Sequence, residues 1–306
     1  MQCRDDISFQ QWGGFSLFSI DLLINAIVAG VMLGGFYAAV SLGLTVAFGQ
    51  LDVVNIAHPA FVILGSYVAY MCNDLWGFDP ILVGLVFTPV FFFIGIGVYR
   101  IYYESFERKD DEALRGLAFF FGVMFIIEVG LIMAYGVDFR SVHASYIGQN
   151  WQIGPIGIPT RMFVPFCVSM IMFGAVYLYL SRTFNGRAIM AVAQDRLALQ
   201  LMAADPVKIK QLGFGIGIGT AAIAGALLII IIPVEPSIGR LYIGQVFAIA
   251  VLAGLGSIPG TLVAAFILGI AESFVATFYG PSWSPAVAFG ILLLALAFRP
   301  QGLFGR

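Results

Sequence analysis

Nine apolar runs separated by short polar stretches leave this chain few ways to fold. They cover about residues 20–48, 55–73, 80–103, 116–135, 161–181, 208–232, 242–257, 260–279 and 284–298. A run of ~20 apolar residues crosses the hydrocarbon core of a bilayer as a helix. Backbone polar groups find no water there, so each segment must pair its own N–H and C=O groups. The short alternating segments of a membrane β-barrel are absent. The expected fold is therefore an all-α membrane protein, a polytopic bundle of about 8–9 transmembrane helices. The second run is interrupted near Pro59 and the seventh is short and Gly-rich, which sets the lower count. Composition agrees. The chain is 10% charged, where a soluble domain carries about 25%.

The residues exclude several functions. Net charge is −2, with no basic patch of the kind that nucleic acid requires. Cys3, Cys72 and Cys167 form neither a disulfide framework nor a metal-ligand spacing, and His58 and His143 stand far apart. The only lysines are Lys109, Lys208 and Lys210, and no GxxxxGK[ST] loop occurs to cradle ATP phosphates. No nucleophile, base and orienting group come together in a motif, so the chain is not read as an enzyme. Active transport would draw its energy from another subunit or from an ion gradient. The acidic start, MQCRDDISFQ, is unlike a cleavable signal. With no soluble stretch or low-complexity linker, residues 1–306 read as one membrane domain.

Basic residues orient the spans, because loops rich in Lys and Arg stay in the cytoplasm. Arg100, Arg108, Lys109 and Arg115 flank the third connection, Arg182, Arg187, Arg196, Lys208 and Lys210 fill the fifth, and Arg299 and Arg306 close the chain. The connection from Gly136 to Thr160 has one Arg, and that near Pro233 has Arg240 alone. The first set is expected inside and the second outside. Nine crossings then put the N-terminus outside and the C-terminus in the cytoplasm. The long outer connection offers Tyr146 and Trp151, residue types enriched at interfaces.

The segment 185–203, NGRAIMAVAQDRLALQLMA, is more polar than its surroundings. Arg187, Gln194, Asp195 and Arg196 give it charge. Ile189, Val192, Ala193, Leu197 and Leu201 fall on one stripe at helical period. One continuous amphipathic helix is expected. By spacing alone, two readings stand: a helix lying flat at the membrane interface, or a coupling helix fitting a groove on an ATPase.

Thirty-six glycines are too many for loops alone. Gly30 and Gly34 form a GxxxG pair, and Gly213, Gly217, Ala221 and Gly225 run up one face of the sixth span, as close helix packing in membranes requires. Near the second run, Asp52, Asn55 and His58 precede Pro59, which suits the first turn of a helix. Gly254, Gly256, Ser257, Ile258 and Pro259 repeat that arrangement later. Two such breaks point either to a solute site at their junction or to a pair of tight turns. We expect Asn55, His58 and Pro59 to border a route opposite the Gly254–Gly260 break, with Tyr37 and Ser41 adding polar contacts. No charged residue is required to hold the solute. Glu128 and Glu272 are acids within spans, a position that marks candidate function, and neither shows a partner in sequence.

These blocks together resemble the LivH-type permeases of branched-chain amino-acid ABC importers. The likeness rests on Leu23-Ile-Asn25 with Gly34–Tyr37 and Ser41–Thr45, on Asn55-Ile-Ala57-His58 with Leu64–Tyr67, on Gly186–Ile189 with Ala191–Arg196, on Leu252–Gly260 with Leu268-Gly269 and Ala271–Ser273, and on Arg299–Phe304. It runs from about Leu22 to Gly305. It implies a multi-pass subunit of the bacterial inner membrane, pairing with a homologous LivM-like permease, two ATP-binding subunits that hold ATP and Mg, and a periplasmic substrate-binding protein. The chain itself would carry no cofactor or metal. It also implies that Gly186, Arg187, Ile189, Val192, Gln194, Asp195, Arg196 and Leu197 belong to a cytoplasmic coupling helix. Tyr37, Ser41, Asn55, His58, Pro59, Gly254, Gly256 and Glu272 are the candidate path residues. Pro59-Ala60 stand where the family commonly has Gly and an acid, Met190 replaces a usual Arg, and Ala204 a usual Gly. A permease for urea, short amides or small organic acids is the nearest alternative. A stand-alone secondary transporter or channel is the alternative from another class.

Overall fold

The computed structural model describes residues 20–51, 53–107, 112–154, 156–192, 194, 196–201, 204–299 and 301–305. Nine long helices correspond to the nine apolar runs: α1 (Ile20–Leu44), α2 (His58–Trp76), α3 (Pro80–Ser105), α4 (Glu112–Tyr135), α5 (Thr160–Arg182), α8 (Pro206–Ile231), α9 (Gly239–Ala253), α10 (Ile258–Phe278) and α11 (Ser284–Phe298). Two short helices, α6 (Phe184–Ala191) and α7 (Arg196–Leu201), lie between α5 and α8. Among the described residues, eight helices are long and apolar enough to cross a membrane. The ninth long helix, α2, is less apolar because it is largely enclosed by protein: Pro59 to Ile63, Gly65 to Tyr67, Ala69 and Cys72 are all buried. A helix shielded in this way has no need of a lipid-compatible outer surface.

Helix starts follow local chemistry. Asp79 and Asp205 each precede a Pro and accept from the backbone N–H two residues on, at 2.8 and 3.0 Å. Ser257 caps α10 by accepting from Gly260 N–H at 3.1 Å. Each side chain satisfies a donor that the first helical turn leaves free, and Pro follows where its missing N–H costs nothing.

The helices alternate between two faces. One, the hairpin face, carries an antiparallel pair, β1 (Asn150–Ile153) and β2 (Ile156–Pro159). Gly157 N–H donates to Asn25 of α1, Asn73 of α2 clamps His143 through both its amide groups, and Arg140 pairs backbone to backbone with Val234. The other, the basic face, gathers α6, α7, the start of α8 and the chain's end. There Lys210 meets Glu107 at 2.5 Å in a buried ion pair, and Tyr99 donates to the same carboxylate. The described chain starts α1 at the hairpin face and ends on the basic face.

Small residues set the packing. Gly30 of α1 rests against the backbone of Gly269 and Ile270 on α10, and Gly34 against that of Ala265 and Phe266, so a methyl at Gly34 would meet Phe266 Cα 2.8 Å away. Helix α8 is central: Gly217 touches Gly43 of α1, Gly225 touches Val62 and Ser66 of α2, and Gly215 faces Phe92 and Ile96 of α3. Ser66 donates to Gly225 C=O at 2.7 Å across that contact. Close backbone approach with interhelical hydrogen bonds is the packing expected where no hydrophobic force drives helices together.

The expected single helix over 185–203 is two helices with a turn between them. The part of its apolar stripe carried by Ile189 and Val192 is turned inward, whereas Leu201 is 81% exposed. Ile189 and Val192 are fully buried, with Ile189 against Gly213 of α8. The pattern was sound, but this part of it docks on the chain's own core. Asp195 lies outside the described residues, as do the side chains of Arg196 and Leu197.

Candidate functional site

Three places bring the candidate residues together, two sealed between helices and one open. The first joins α1, α9 and α10. Tyr37 donates to Glu272 at 2.5 Å, and Gln245 donates to the other carboxylate oxygen at 3.1 Å and contacts the Tyr37 hydroxyl at 3.2 Å. Glu272 is 1% exposed. Two donors converge on one buried carboxylate, as burial of such a group demands. Tyr37 and Glu272, named separately from sequence, are thus brought together. Gln245 was missed, although a lone amide in an otherwise apolar span is a legible signal. One turn nearer the basic face, Ser41 is buried with no partner for its hydroxyl, and Thr45 pairs with Thr261 at 2.9 Å. Thr45 opens a π-helical turn, Thr45–Gln50, at the end of α1.

The second place is the start of α2. Val53 to Ala57 run irregularly before α2 begins at His58, so the expected helix start is found, while Asp52 lies outside the described residues. Asn55 accepts from Ala57 N–H at 3.2 Å, and the His58 ring meets Val40 C=O at 2.9 Å through Nε2. A carbonyl only accepts, so Nε2 carries the proton and Nδ1 is the acceptor, and Nδ1 has no partner. His58 is fully buried and its ring touches Gly43. The expected position beside an open route is therefore corrected: His58 is sealed in the junction of α1, α2 and α8. Its surroundings also differ from expectation. Pro59 lies beside Gly239, at the beginning of α9, whereas the Gly254–Gly260 break stands at the other end of that helix.

The third place is a cavity of about 640 Å³ open on the basic face. Gly49, Tyr177, Met190, Gln194, Gly256, Pro259 and Phe304 line it. It joins the α6–α7 region to the α9–α10 turn. In that turn Gly254 and Gly256 have φ of +88° and +85°, and the terminal segment closes against it. Leu303 and Phe304 donate to Leu252 and Ala253 C=O, at 2.8 and 3.1 Å. These satisfy carbonyls that the broken end of α9 would otherwise leave free.

Glu128, for which the sequence shows no partner, has one in the fold. It meets Arg240 of α9 at 3.0 Å.

A polytopic helical membrane protein with polar groups sealed at its helix junctions is what this geometry defines. Residues 26–296 match the family model described as branched-chain amino acid transport system, permease component. The chain is 30% identical over 298 residues to the high-affinity branched-chain amino acid transport system permease protein BraD of Pseudomonas aeruginosa, covering 92% of this chain and 96% of that one. It is 29% identical over 289 residues to the LivH permease protein of Escherichia coli, covering 90% and 94%. It is 23% identical over 301 residues to the LivM permease protein of Salmonella typhimurium, covering 87% of this chain and 67% of that one. No solved structure matches. The chain belongs to this family of transport permeases.

Proposed function

We propose that the chain is the membrane subunit of an ATP-driven importer for branched-chain or other small hydrophobic amino acids. The observation that carries this is its likeness, over nearly its whole length, to BraD and LivH, both named as high-affinity branched-chain amino acid permeases. The alternatives, a urea or amide permease and a stand-alone carrier, have no comparable support.

The basic face is the cytoplasmic one in this reading, since Arg100, Arg182, Arg187, Lys208 and Arg299 mark it. The hairpin face then looks out across a bacterial inner membrane and receives a binding protein, with Trp151 exposed on β1. A second permease of the same fold completes the route, as the separate LivH and LivM names suggest. Two ATP-binding subunits, holding ATP and Mg, dock on the basic face. Their contact uses the outward side of the α6–α7 region, with Phe184, Arg187, Gln194 and Leu201 exposed. Ile189 and Val192 hold that region to the core from behind. The cavity under Gln194 lets a push on this region reach the α9–α10 turn.

The test is uptake of radiolabelled leucine, isoleucine, valine and urea by vesicles holding the complete complex, with binding protein and ATP supplied. ATP-dependent uptake of the three amino acids without urea is expected. Uptake of urea alone, or uptake without ATP, would overturn the reading.

A further inference from the structure

Arg240, read from sequence as part of an outer connection, instead stands within the apolar span Pro236–Ala253. It stands roughly 20 Å along α9 from Ala253, at 1.5 Å per residue. Its partner Glu128 lies roughly 10 Å below the hairpin-face end of α4. Both estimates put the pair within the hydrocarbon core, which is ~30 Å thick. Yet the Arg240 side chain is 52% exposed, while Glu128 is 8% exposed. A charged side chain at membrane depth faces a protein interior or a water-filled cavity, because facing lipid is costly. Reaching up to the interface is restricted here, since the 3.0 Å contact ties the guanidinium to a buried carboxylate.

The pair stands where two helix starts meet, with a gap of only about 10 Å³ between them, so the open side is the exposed half of the Arg240 guanidinium. Pro236 and Gly239, at the start of α9, and Ala60 and Ile63, in the first turns of α2, lie around the pair. Two helices therefore begin inside the membrane next to it, and irregular backbone at this depth is found where it lines a cavity or is enclosed by protein.

We propose that Arg240, oriented by Glu128, lines the solute route in the half of the membrane nearer the hairpin face and binds the carboxylate of the passing solute. The inference rests on the amino-acid reading above and deepens it. The guanidinium has five N–H donors in a planar fork. Glu128 occupies one edge, and the open half presents the rest to an anion. Planar two-point recognition of a carboxylate is what an arginine does better than a lysine. Glu128 holds the guanidinium's position and lowers the local net charge, so the site is weak enough to release its solute. The sequence reading required no charged residue to hold the solute; this proposal assigns one.

The test uses the complete complex. Arg240→Cys is made together with Glu128→Gln, so that no lone carboxylate is left buried, in a chain whose native cysteines are replaced by Ser. A membrane-impermeant, charged thiol reagent added from the hairpin side should label Cys at 240. Cys in place of Ile171, 72% exposed on α5, serves as the lipid-facing comparison and should stay unlabelled. Separately, Glu128→Gln/Arg240→Gln should fold and reach the membrane with its ATPase partners, yet take up leucine about tenfold more slowly, equivalent to ~1.4 kcal/mol. Arg240→Lys should lie between this variant and the parent. Exclusion of the charged reagent at 240, or parental uptake by the double Gln variant, would reduce the pair to a helix clamp and leave the importer reading intact. Failure of the unmodified complex to take up any amino acid would remove both.

Discussion

Glu272 shows how a carboxyl group survives deep inside a helical membrane protein. Tyr37 and Gln245 supply donors to both of its oxygens, while Gln245 Oε1 is buried without a partner. That spare acceptor has a consequence. In Glu272→Gln the new amide can keep one oxygen on the Tyr37 hydroxyl, and Gln245 can turn its Oε1 to receive the new N–H. Tyr37→Phe offers no such repair and strips a buried acceptor, which costs about 1–3 kcal/mol. We therefore expect Glu272→Gln to lower the detergent-solubilised melting temperature less than Tyr37→Phe does. The reverse order would mean that the negative charge itself holds α1, α9 and α10 together. The α6–α7 region makes a second residue-scale contrast. Val192 is fully buried within this chain, so Val192→Asp buries a charge without a partner and should reduce the amount of folded protein. Arg187 is exposed, so Arg187→Glu should leave folding alone and lower ATP-driven uptake. A folded, abundant Val192→Asp chain defective only in ATPase binding would place that side chain on the outside.

At the scale of elements, α8 organises the molecule because small residues let three neighbours close on it. A methyl at Gly225 would lie 2.0 Å from Val62 C=O, whereas one at Gly97 of α3 meets nothing within 4 Å. Gly225→Leu should therefore abolish stable folding, and Gly97→Leu should leave the yield of folded chain unchanged; equal losses would refute a specific α2–α8 contact. Much of this was legible in advance. The nine apolar runs became nine helices, the GxxxG pair on α1 and the four-residue ladder on α8 lie at contacts, and helices start beside Pro59 and beside Pro259. What could not be read has a common cause. Periodicity reports that a face is apolar, not what covers it, so spacing leaves lipid and an ATPase equally open for the stripe, whereas Ile189 and Val192 are covered by the chain itself. The pairs Glu107–Lys210 and Glu128–Arg240 join distant helices, and nothing local to either member announces the other. His58 looked like a route residue because polar groups beside a helix break suggest a cavity, yet the same groups serve to satisfy backbone in a closed junction, here Val40 C=O.

For the whole molecule, one property ties every functional statement together: which face meets the cytoplasm. The described chain is internally consistent on this point. Asn25–Gly157, Asn73–His143 and Arg140–Val234 gather at one face. Lys210–Glu107 and the joint between Leu303 and Leu252 gather at the other. No helix has to be inverted to keep the sets apart, so a single measurement orients all nine. The positive-inside bias assigns the basic face to the cytoplasm. Cysteine in place of Trp151, half exposed beside Phe163, should then react with an impermeant thiol reagent in intact spheroplasts. Cysteine at Arg187 should react only once the membrane is opened. The opposite pattern would put α6 and α7 on the outer side, where no ATP-hydrolysing partner exists. It would end the coupling role proposed for that region, the docking role proposed for the hairpin and the proposed inward direction of transport at once. The helix packing, which depends on neither label, would stand unchanged.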